Sequence, residues 1–221
     1  MPMKLGYWKV RGLAQPIRLM LTYTGEEFED TRYEKLTAET AAEWLDKDKK
    51  TLGLAFPNLP YLIDGDVKVT QSNAILRYLG RKHDMCGKTP NEQLRVDICA
   101  SQVMDMRNAF IALSYNKTGA SRDKWEELKT EYISKLPATL KLFSDFLGDQ
   151  KWLAGNNLTF PDFHFYEMLS QHSVVFPGCL DGFPALQSYV ARFEDLPAIK
   201  AYRASSSFLD RPVNNHAALL K

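Results

Sequence analysis

The hydrophobic pattern changes once along the chain, and this change restricts the possible folds more than any other feature. In residues 1–83, short β-prone runs with a period of two alternate with helical segments. Their order is β-α-β-α-β-β-α. Beyond this region strand signals nearly vanish, and apolar residues recur every three or four positions. The pattern predicts an α+β domain at 1–83, a polar linker at 84–90 and an all-helical domain at 91–221.

The length and charge of the chain narrow the class further. The 221 residues suffice for two modest domains, and the net charge of +1 gives no reason to expect nucleic acid or an anionic membrane as a partner. The three cysteines have no CxxC spacing, which indicates neither a disulfide framework nor a zinc knuckle. The start of the chain has no signal-peptide core, and no window approaches the ~18 apolar residues of a membrane span. We therefore expect a soluble cytoplasmic protein.

Common catalytic and metal-binding motifs are absent from the sequence. The four histidines show no paired-ligand spacing, so no metal is expected. There is no GxSxG, Walker loop or GxGxxG motif. The loop after the first predicted strand contains no cysteine, which argues against disulfide exchange.

Polar and aromatic residues lie instead at the ends of several predicted sheet elements. Taken singly, each has an ordinary structural explanation: Tyr7 fits a strand, Trp44 fits a helix core, and Pro60 fits a strand edge. Their combination favours a functional role over these separate explanations. The set comprises Tyr7, Trp8, Trp44, Lys49, Asn58, Leu59, Pro60, Gln71 and Ser72.

Linked motifs along nearly the whole chain resemble those of the cytosolic glutathione transferases, mu class. The resemblance implies a thioredoxin-like N-terminal domain that binds glutathione and a helical domain that completes an apolar pocket for an electrophile. It also implies a homodimer without a metal, with glutathione as co-substrate. The motifs are LGYWKVRGLAQPIRL from Leu5, LGLAFPNLPYLIDG from Leu52, TQSNAILRYL from Thr70, QVMDMR from Gln102, WLAG from Trp152, TFPDF from Thr159 and ARFE from Ala191.

The resemblance assigns the chemistry to Tyr7, whose hydroxyl would donate a hydrogen bond to the glutathione sulfur. A free thiol has a pKa near 8.5, and making the thiolate the main species at neutral pH requires a fall of about 2 units, or about 2.7 kcal/mol. A hydrogen bond to a charged group contributes roughly 1.5–3 kcal/mol, so one tyrosine can supply most of this. No catalytic histidine is then required.

The resemblance also implies how glutathione is held. Gln71 and Ser72 would bind the γ-glutamyl carboxylate at a helix N-terminus, and Trp44 and Lys49 the glycyl carboxylate. The backbone of Leu59 would pair with the cysteinyl part, next to a cis peptide bond at Pro60. The remaining glutathione residues implied are Trp8, Leu13, Asn58 and, from the neighbouring subunit, Asp105.

Two further sets of residues follow from the same resemblance. Phe56 would insert between helices of the partner subunit, and Arg77 would lie near the two-fold axis. Tyr115 would donate a hydrogen bond to an oxyanion or an opened epoxide in the electrophile pocket. That pocket would be lined by Val10, Leu13, Asn108, Ile111, Tyr115, Phe208 and Asp210.

The chain departs from the family pattern around Trp44, which suggests an invertebrate-like variant. The segment between Tyr33 and Trp44 is shorter than usual, Ala41 stands where an arginine is common, and one extra residue lies between Trp44 and Lys49. We expect glutathione binding to depend more on Lys49 and Lys50, with a lower affinity.

Three functions remain open from the sequence. The first is an enzyme that conjugates glutathione to hydrophobic electrophiles for detoxification. The second is a non-catalytic protein, either a ligandin-like binder of apolar compounds or a structural descendant of the same fold. The third is a redox enzyme, which the missing cysteine opposes. The joint presence of Tyr7 and the glutathione residues favours catalysis, because storage requires no thiol activator.

Overall fold

A four-stranded mixed sheet forms the centre of the N-terminal part, in a computed structural model that describes residues 2–34 and 38–221. The strands are β1 (Met3–Trp8), β2 (Phe28–Tyr33), β3 (Tyr61–Asp64) and β4 (Val67–Thr70). Their order is β2-β1-β3-β4; β1 and β2 are parallel, and the other pairs are antiparallel. Gly65 turns the chain from β3 to β4 with φ +58°, a left-handed conformation that glycine adopts without strain.

The helices of this part join the strands in the expected order. They are α1 (Gln15–Tyr23), α2 (Ala38–Ala42), α3 (Lys49–Thr51) and α4 (Ser72–Lys82). Pro16 lies in the first turn of α1, where its missing N–H leaves no helical hydrogen bond unmade. A π-helical segment, Glu43–Asp48, connects α2 to α3. The sequence predicts one ordinary helix from about Ala38 to Lys50, so this wider turn corrects that expectation.

The C-terminal part is all-helical in the described residues. Its helices are α5 (Pro90–Ser114), α6 (Arg122–Leu147), α7 (Phe160–Val175), α8 (Pro184–Glu194) and α9 (Pro197–Arg203). Together with the sheet domain they confirm the predicted fold class, a thioredoxin-like α+β domain followed by a helical domain. Nowhere in the described ranges is a helix both long and apolar enough to cross a membrane.

Helix α7 forms the centre of the helical part and is buried along most of its length. Phe165 stacks on Phe143 of α6 with ring centroids 4.4 Å apart, and Tyr166 stacks on Phe193 of α8 at 4.1 Å. Helix α7 also packs against α1 and α5. The core of the helical part therefore reaches the sheet domain directly.

The segment after α9 runs back to the loop that follows β1. The backbone N–H of Arg11 donates to the carbonyl of Pro212 (3.0 Å), and that of Gly12 donates to Val213 (3.1 Å). Further on, the N–H of Leu219 donates to the carbonyl of Ser114 at the end of α5 (2.7 Å). These bonds hold the C-terminal segment against the loop after β1 and against the end of α5.

Candidate active site

The register of the sheet places the predicted glutathione residues at one end of the strands. Trp8 pairs with Tyr33 at the ends of β1 and β2, and Gly6 pairs with Tyr61 at the start of β3. Tyr61 in turn pairs with Thr70 at the end of β4. The loops that leave β1 and β4 and the loop that enters β3 therefore meet at the same end of the sheet.

Tyr7 lies at this end of β1 and is 8% exposed. Its hydroxyl oxygen accepts a hydrogen bond from the backbone N–H of Leu13 (3.2 Å). No acceptor for the hydroxyl proton is present among the described residues. The phenol is thus arranged to donate outward, and the Leu13 N–H stabilises negative charge that develops on its oxygen.

The loop after β1 packs directly on the Tyr7 ring. Gly12 has φ +44°, and a Cβ built on it would lie 2.7 Å from both Cε1 and the hydroxyl oxygen of Tyr7. Real Cβ atoms do not approach other atoms so closely, so a side chain here would displace the phenol. Glycine is therefore required both for the backbone conformation and for the close approach.

An aromatic cluster supports the predicted site for the glycyl carboxylate. Trp44 is 3% exposed and stacks on Tyr61 with centroids 5.9 Å apart, while Tyr33 lies against it at 5.6 Å. The Tyr33 hydroxyl donates to the carboxylate of Asp48 and lies 2.9 Å from the Tyr61 hydroxyl. Burial, with the bond to Asp48, raises the pKa of Tyr33. Trp8 meets the same cluster edge-on at Tyr33, and Lys49 is exposed at the start of α3.

The other two segments predicted to bind glutathione have unusual backbone conformations. The peptide bond between Leu59 and Pro60 is cis, as expected, and the side-chain oxygen of Asn58 accepts the Leu59 N–H (2.9 Å). Gln71 has φ +71°, a strained conformation for a residue with a side chain, directly before α4. Such strain is typical of functional sites. It leaves the buried Ser72 as the first residue of the helix, where free backbone N–H groups attract anions.

Helix α5 lines the opposite side of the site with a stripe of residues four apart. These are Arg107, Ile111 and Tyr115. The Tyr115 hydroxyl accepts the backbone N–H of Asn215 (3.0 Å), and burial raises its pKa. Arg107 is half-buried. Desolvation lowers the pKa of its guanidinium, while the phenols of Tyr7 and Tyr115 act in the opposite direction.

Sequence reasoning missed Arg107. Its spacing from Ile111 and Tyr115 was the available signal, because residues at i, i+4 and i+8 share one helix face.

The other residues predicted to line the electrophile pocket differ in their exposure to solvent. Val10 and Ile111 are buried, whereas the side chains of Asn108 and Asp210 are exposed. Phe208 packs edge-on against Tyr202, at 5.5 Å. A cleft of about 390 Å³ opens nearby; its lining residues are Trp8, Lys9, Val10, Tyr33, Glu34, Leu209, Arg211, Pro212, His216 and Lys221. Across the described part of the chain, no three metal-binding side chains are grouped to hold an ion.

The residues predicted to contact a partner subunit lie on the surface. Phe56 is 75% exposed, and Asp105 is exposed on α5. Arg77 donates to Asp97 (3.1 Å) and lies over the ring of Phe160. Ala41, in contrast, is buried within α2. The shortened segment that precedes it falls partly on residues 35–37, outside the described residues.

Two family models match the chain. The model of the glutathione S-transferase N-terminal domain covers residues 3–81, and that of the C-terminal domain covers residues 104–206.

Curated proteins and solved structures agree with these matches. Glutathione S-transferase Mu 2 of Rattus norvegicus is 50% identical over 96% of this chain and 95% of its own, and Glutathione S-transferase Mu 1 of Oryctolagus cuniculus is 51% identical over the same shares. The crystal structure of the glutathione S-transferase Blo t 8 superposes with a TM-score of 0.89 at 36% identity, covering 97% of this chain and 98% of that one. A pi-class enzyme from Onchocerca volvulus gives 0.80 at 30% identity, covering 99% and 100%.

Proposed function

Since the chain belongs to the glutathione S-transferase family, in its mu class, we propose a mechanism in which Tyr7 stabilises the thiolate of bound glutathione. The relatives are named as glutathione S-transferases, and we infer that this enzyme likewise joins the sulfur of glutathione to electrophilic compounds. One observation carries the assignment of Tyr7. Its oxygen accepts the Leu13 N–H, and this bond would hold the phenol in place while its own proton is donated to the glutathione sulfur.

The energetics suit a single tyrosine. Lowering the thiol pKa by about 2 units costs about 2.7 kcal/mol, and a hydrogen bond to an ionised group contributes roughly 1.5–3 kcal/mol. The Leu13 N–H makes the phenol a stronger donor, because it stabilises charge on the oxygen. The thiolate then attacks the electrophilic carbon, and the leaving group or the acceptor takes the electron pair.

Separate groups would orient the tripeptide. The indole of Trp44 and the ammonium of Lys49 would bind the glycyl carboxylate, and Ser72 with Gln71 would bind the γ-glutamyl carboxylate at the start of α4. The backbone of Leu59 would pair with the cysteinyl residue. Trp8, Leu13 and Asn58 would complete this side of the site.

The electrophile would lie between the loop after β1 and helix α5. Val10, Leu13, Ile111 and Phe208 supply apolar surface there, with Asn108 and Asp210 at the rim. Tyr115 would donate to an oxyanion that forms on the electrophile, and the cationic Arg107 would favour negative charge in the same space.

We further propose that the enzyme is a cytoplasmic homodimer divided into residues 1–83, a linker at 84–90 and residues 91–221. The exposure of Phe56 supports a role as a contact with a second subunit. Arg77 would lie close to the two-fold axis, and the partner's Asp105 would reach the ammonium of glutathione. Catalysis would require no metal and no nucleic-acid or membrane partner.

The Tyr7 assignment is tested by turnover of glutathione with a chlorinated dinitrobenzene. We expect Tyr7→Phe to reduce kcat/KM at neutral pH by about 10- to 100-fold, in line with the loss of roughly 1.5–3 kcal/mol. The pH profile should shift upward together with the thiol pKa. Tyr23→Phe, at a half-exposed tyrosine away from the sheet edge, is the matched control and should leave both unchanged. Equal rates for the Tyr7 variant and the wild type would exclude this role, and no wild-type turnover would leave a binding function.

A further inference from the structure

Two buried arginines hold the loop on which the Tyr7 hydroxyl depends. Arg11 lies within this loop, and its guanidinium forms a bidentate pair with Glu167 of α7 through Nε (2.9 Å) and Nη2 (2.8 Å). Both side chains are 1% exposed. Arg18 of α1 donates from Nη1 to the carbonyl of Val10 (3.0 Å), at the start of the same loop.

Every nitrogen of the Arg11 guanidinium and both carboxylate oxygens of Glu167 have a hydrogen-bond partner. Arg11 Nη2 also donates to the hydroxyl of Ser170 (2.8 Å), and Nη1 donates to the carbonyl of Asp210 (3.3 Å). On the other side, Oε1 of Glu167 accepts from the side-chain amide of Gln171 (2.7 Å). Every strong partner of the pair thus comes from the helical part or from the segment that follows it.

A buried ion pair of this kind contributes little to the free energy of folding. Desolvation of two charges offsets most of their attraction, and an apolar pair of similar volume is often as stable. What a bidentate pair adds is direction, because the planar guanidinium fixes both the distance and the angle to the carboxylate. Here the pair fixes the position of the loop that contains Arg11. In this loop Gly12 packs closely on the Tyr7 ring, and the Leu13 N–H donates to the Tyr7 oxygen.

We propose that Arg11 and Glu167 are positioning residues for catalysis. They hold the Leu13 N–H on the Tyr7 oxygen and thereby lower the pKa of the thiol of bound glutathione. Neither residue contacts the reacting atoms in this scheme. The proposal rests on the assigned role of Tyr7 and extends it to a residue pair that joins the two parts of the molecule.

The test compares Glu167→Gln with the double variant Arg11→Met, Glu167→Leu. The first keeps the shape but removes one charge, and the second replaces the pair with apolar side chains that pack without a buried charge. The thiol pKa of the glutathione complex is measured from the ultraviolet absorbance of the thiolate against pH. In both variants we expect it to rise by about half to one unit, the equivalent of one neutral hydrogen bond.

A matched control separates positioning from stability. Tyr189 donates to Asp162 within the helical part (2.9 Å), so Tyr189→Phe removes a buried hydrogen bond that has no contact with the loop. It should lower the thermal midpoint without moving the thiol pKa. If the Arg11 and Glu167 variants behave in the same way, the pair is merely structural and the proposal is wrong.

The Tyr7→Phe background distinguishes this failure from failure of the underlying mechanism. Because the pair acts through the Tyr7 oxygen, adding the double variant to Tyr7→Phe should produce no further rise in the thiol pKa. An additive rise would contradict the proposed route. If Tyr7→Phe itself leaves the thiol pKa unchanged, the proposed function of Tyr7 fails instead.

Discussion

Lys49 is the residue on which the predicted recognition of the glycyl carboxylate depends most. Its neighbour Lys50 is paired with Asp46 (3.4 Å), and Ala41, at the position where the family resemblance leads us to expect an arginine, is buried. A long cation at position 41 would have to leave a packed environment. We therefore expect Lys49 to supply most of the positive charge that meets the glycyl carboxylate.

We expect Lys49→Met to raise the KM for glutathione by about two- to fivefold, with little effect on kcat. The reason is that an exposed ion pair contributes roughly 0.4–1 kcal/mol once solvent screening is considered. Steady-state kinetics with varied glutathione checks this. Lys47→Met, at an exposed lysine two residues earlier, serves as the control; equal effects of the two substitutions would contradict a specific role for Lys49.

Single residues were predictable from the sequence only where a motif marked them. Tyr7, Trp44 and Gln71 each have an ordinary structural explanation, and the family resemblance was needed to group them. Arg11 and Glu167 lie 156 positions apart, and nothing in the local pattern joins them. A loop arginine is usually solvated, so its burial and its partner are properties of the tertiary structure.

At the scale of elements, the π-helical segment Glu43–Asp48 offers a way to accommodate the extra residue that the family resemblance predicts after Trp44. In a π-helix each N–H bonds to the carbonyl five residues earlier, so one additional residue fits into one turn. Trp44 and Lys49 are five apart. In the wider π-helical turn, residues five apart lie next to each other on one face of the helix, as residues four apart do in an α-helix. Trp44 and Lys49 therefore share one face.

Deletion of Lys47 should therefore be tolerated. We expect the shortened chain to form an ordinary α-helical turn and to bind glutathione with a KM within about twofold of the wild type, because a spacing of four keeps the two side chains on one face. Crystallography or kinetics of the deletion variant checks this. Insertion of an alanine after Lys47 is the opposite control, and it should raise the KM strongly. A deletion variant that loses glutathione binding would show that the register is set differently.

The elements themselves were largely predictable. Period-two runs and the Asp64-Gly65 pair, a preferred hairpin turn, predict the strands. Prolines at positions 184 and 197 favour the first turn of a helix, and α8 and α9 begin there. The π-helical segment was not predictable, because one extra residue barely alters a hydrophobic pattern. The course of the tail after α9 was also missed, since it depends on backbone hydrogen bonds to distant loops rather than on periodicity.

For the whole molecule, two buried histidines on α7 link folding to pH. Burial lowers the pKa of His164 to about 3 and that of His172 to about 4. The unfolded chain binds these protons near pH 6.5, whereas the folded chain does not. The stability from keeping both rings neutral is complete above about pH 6.5, and it is lost as the pH falls toward the folded values.

We expect the free energy of unfolding to decrease below about pH 6.5 by up to about 1.4 kcal/mol per pH unit for each histidine. Denaturant titrations at several pH values check this slope. His172→Gln should reduce the slope, whereas His216→Gln, at an exposed histidine, should not. Equal slopes for the wild type and His172→Gln would contradict the linkage.

Assembly is the second property of the whole molecule that can be tested. Phe56→Ala should weaken subunit association by about 10- to 100-fold, because burying a phenylalanine contributes roughly 1.5–3 kcal/mol. Sedimentation over a range of concentrations measures this. The KM for glutathione should rise with dissociation, because each site would lose the partner's Asp105. Leu142→Ala, at a residue 66% exposed on α6, is the control. Identical behaviour of both variants would remove Phe56 from the interface.

The buried Arg11–Glu167 pair also constrains how the gene can change. A mutation in either codon alone leaves an unpaired charge in the interior, so lineages that alter one residue are expected to carry a compensating change in the other. Recombination that joins the first half of one relative to the second half of another would separate the two residues. Exchanged halves should then yield working enzymes only when both parents carry a compatible pair, which makes the two domains a linked unit of inheritance.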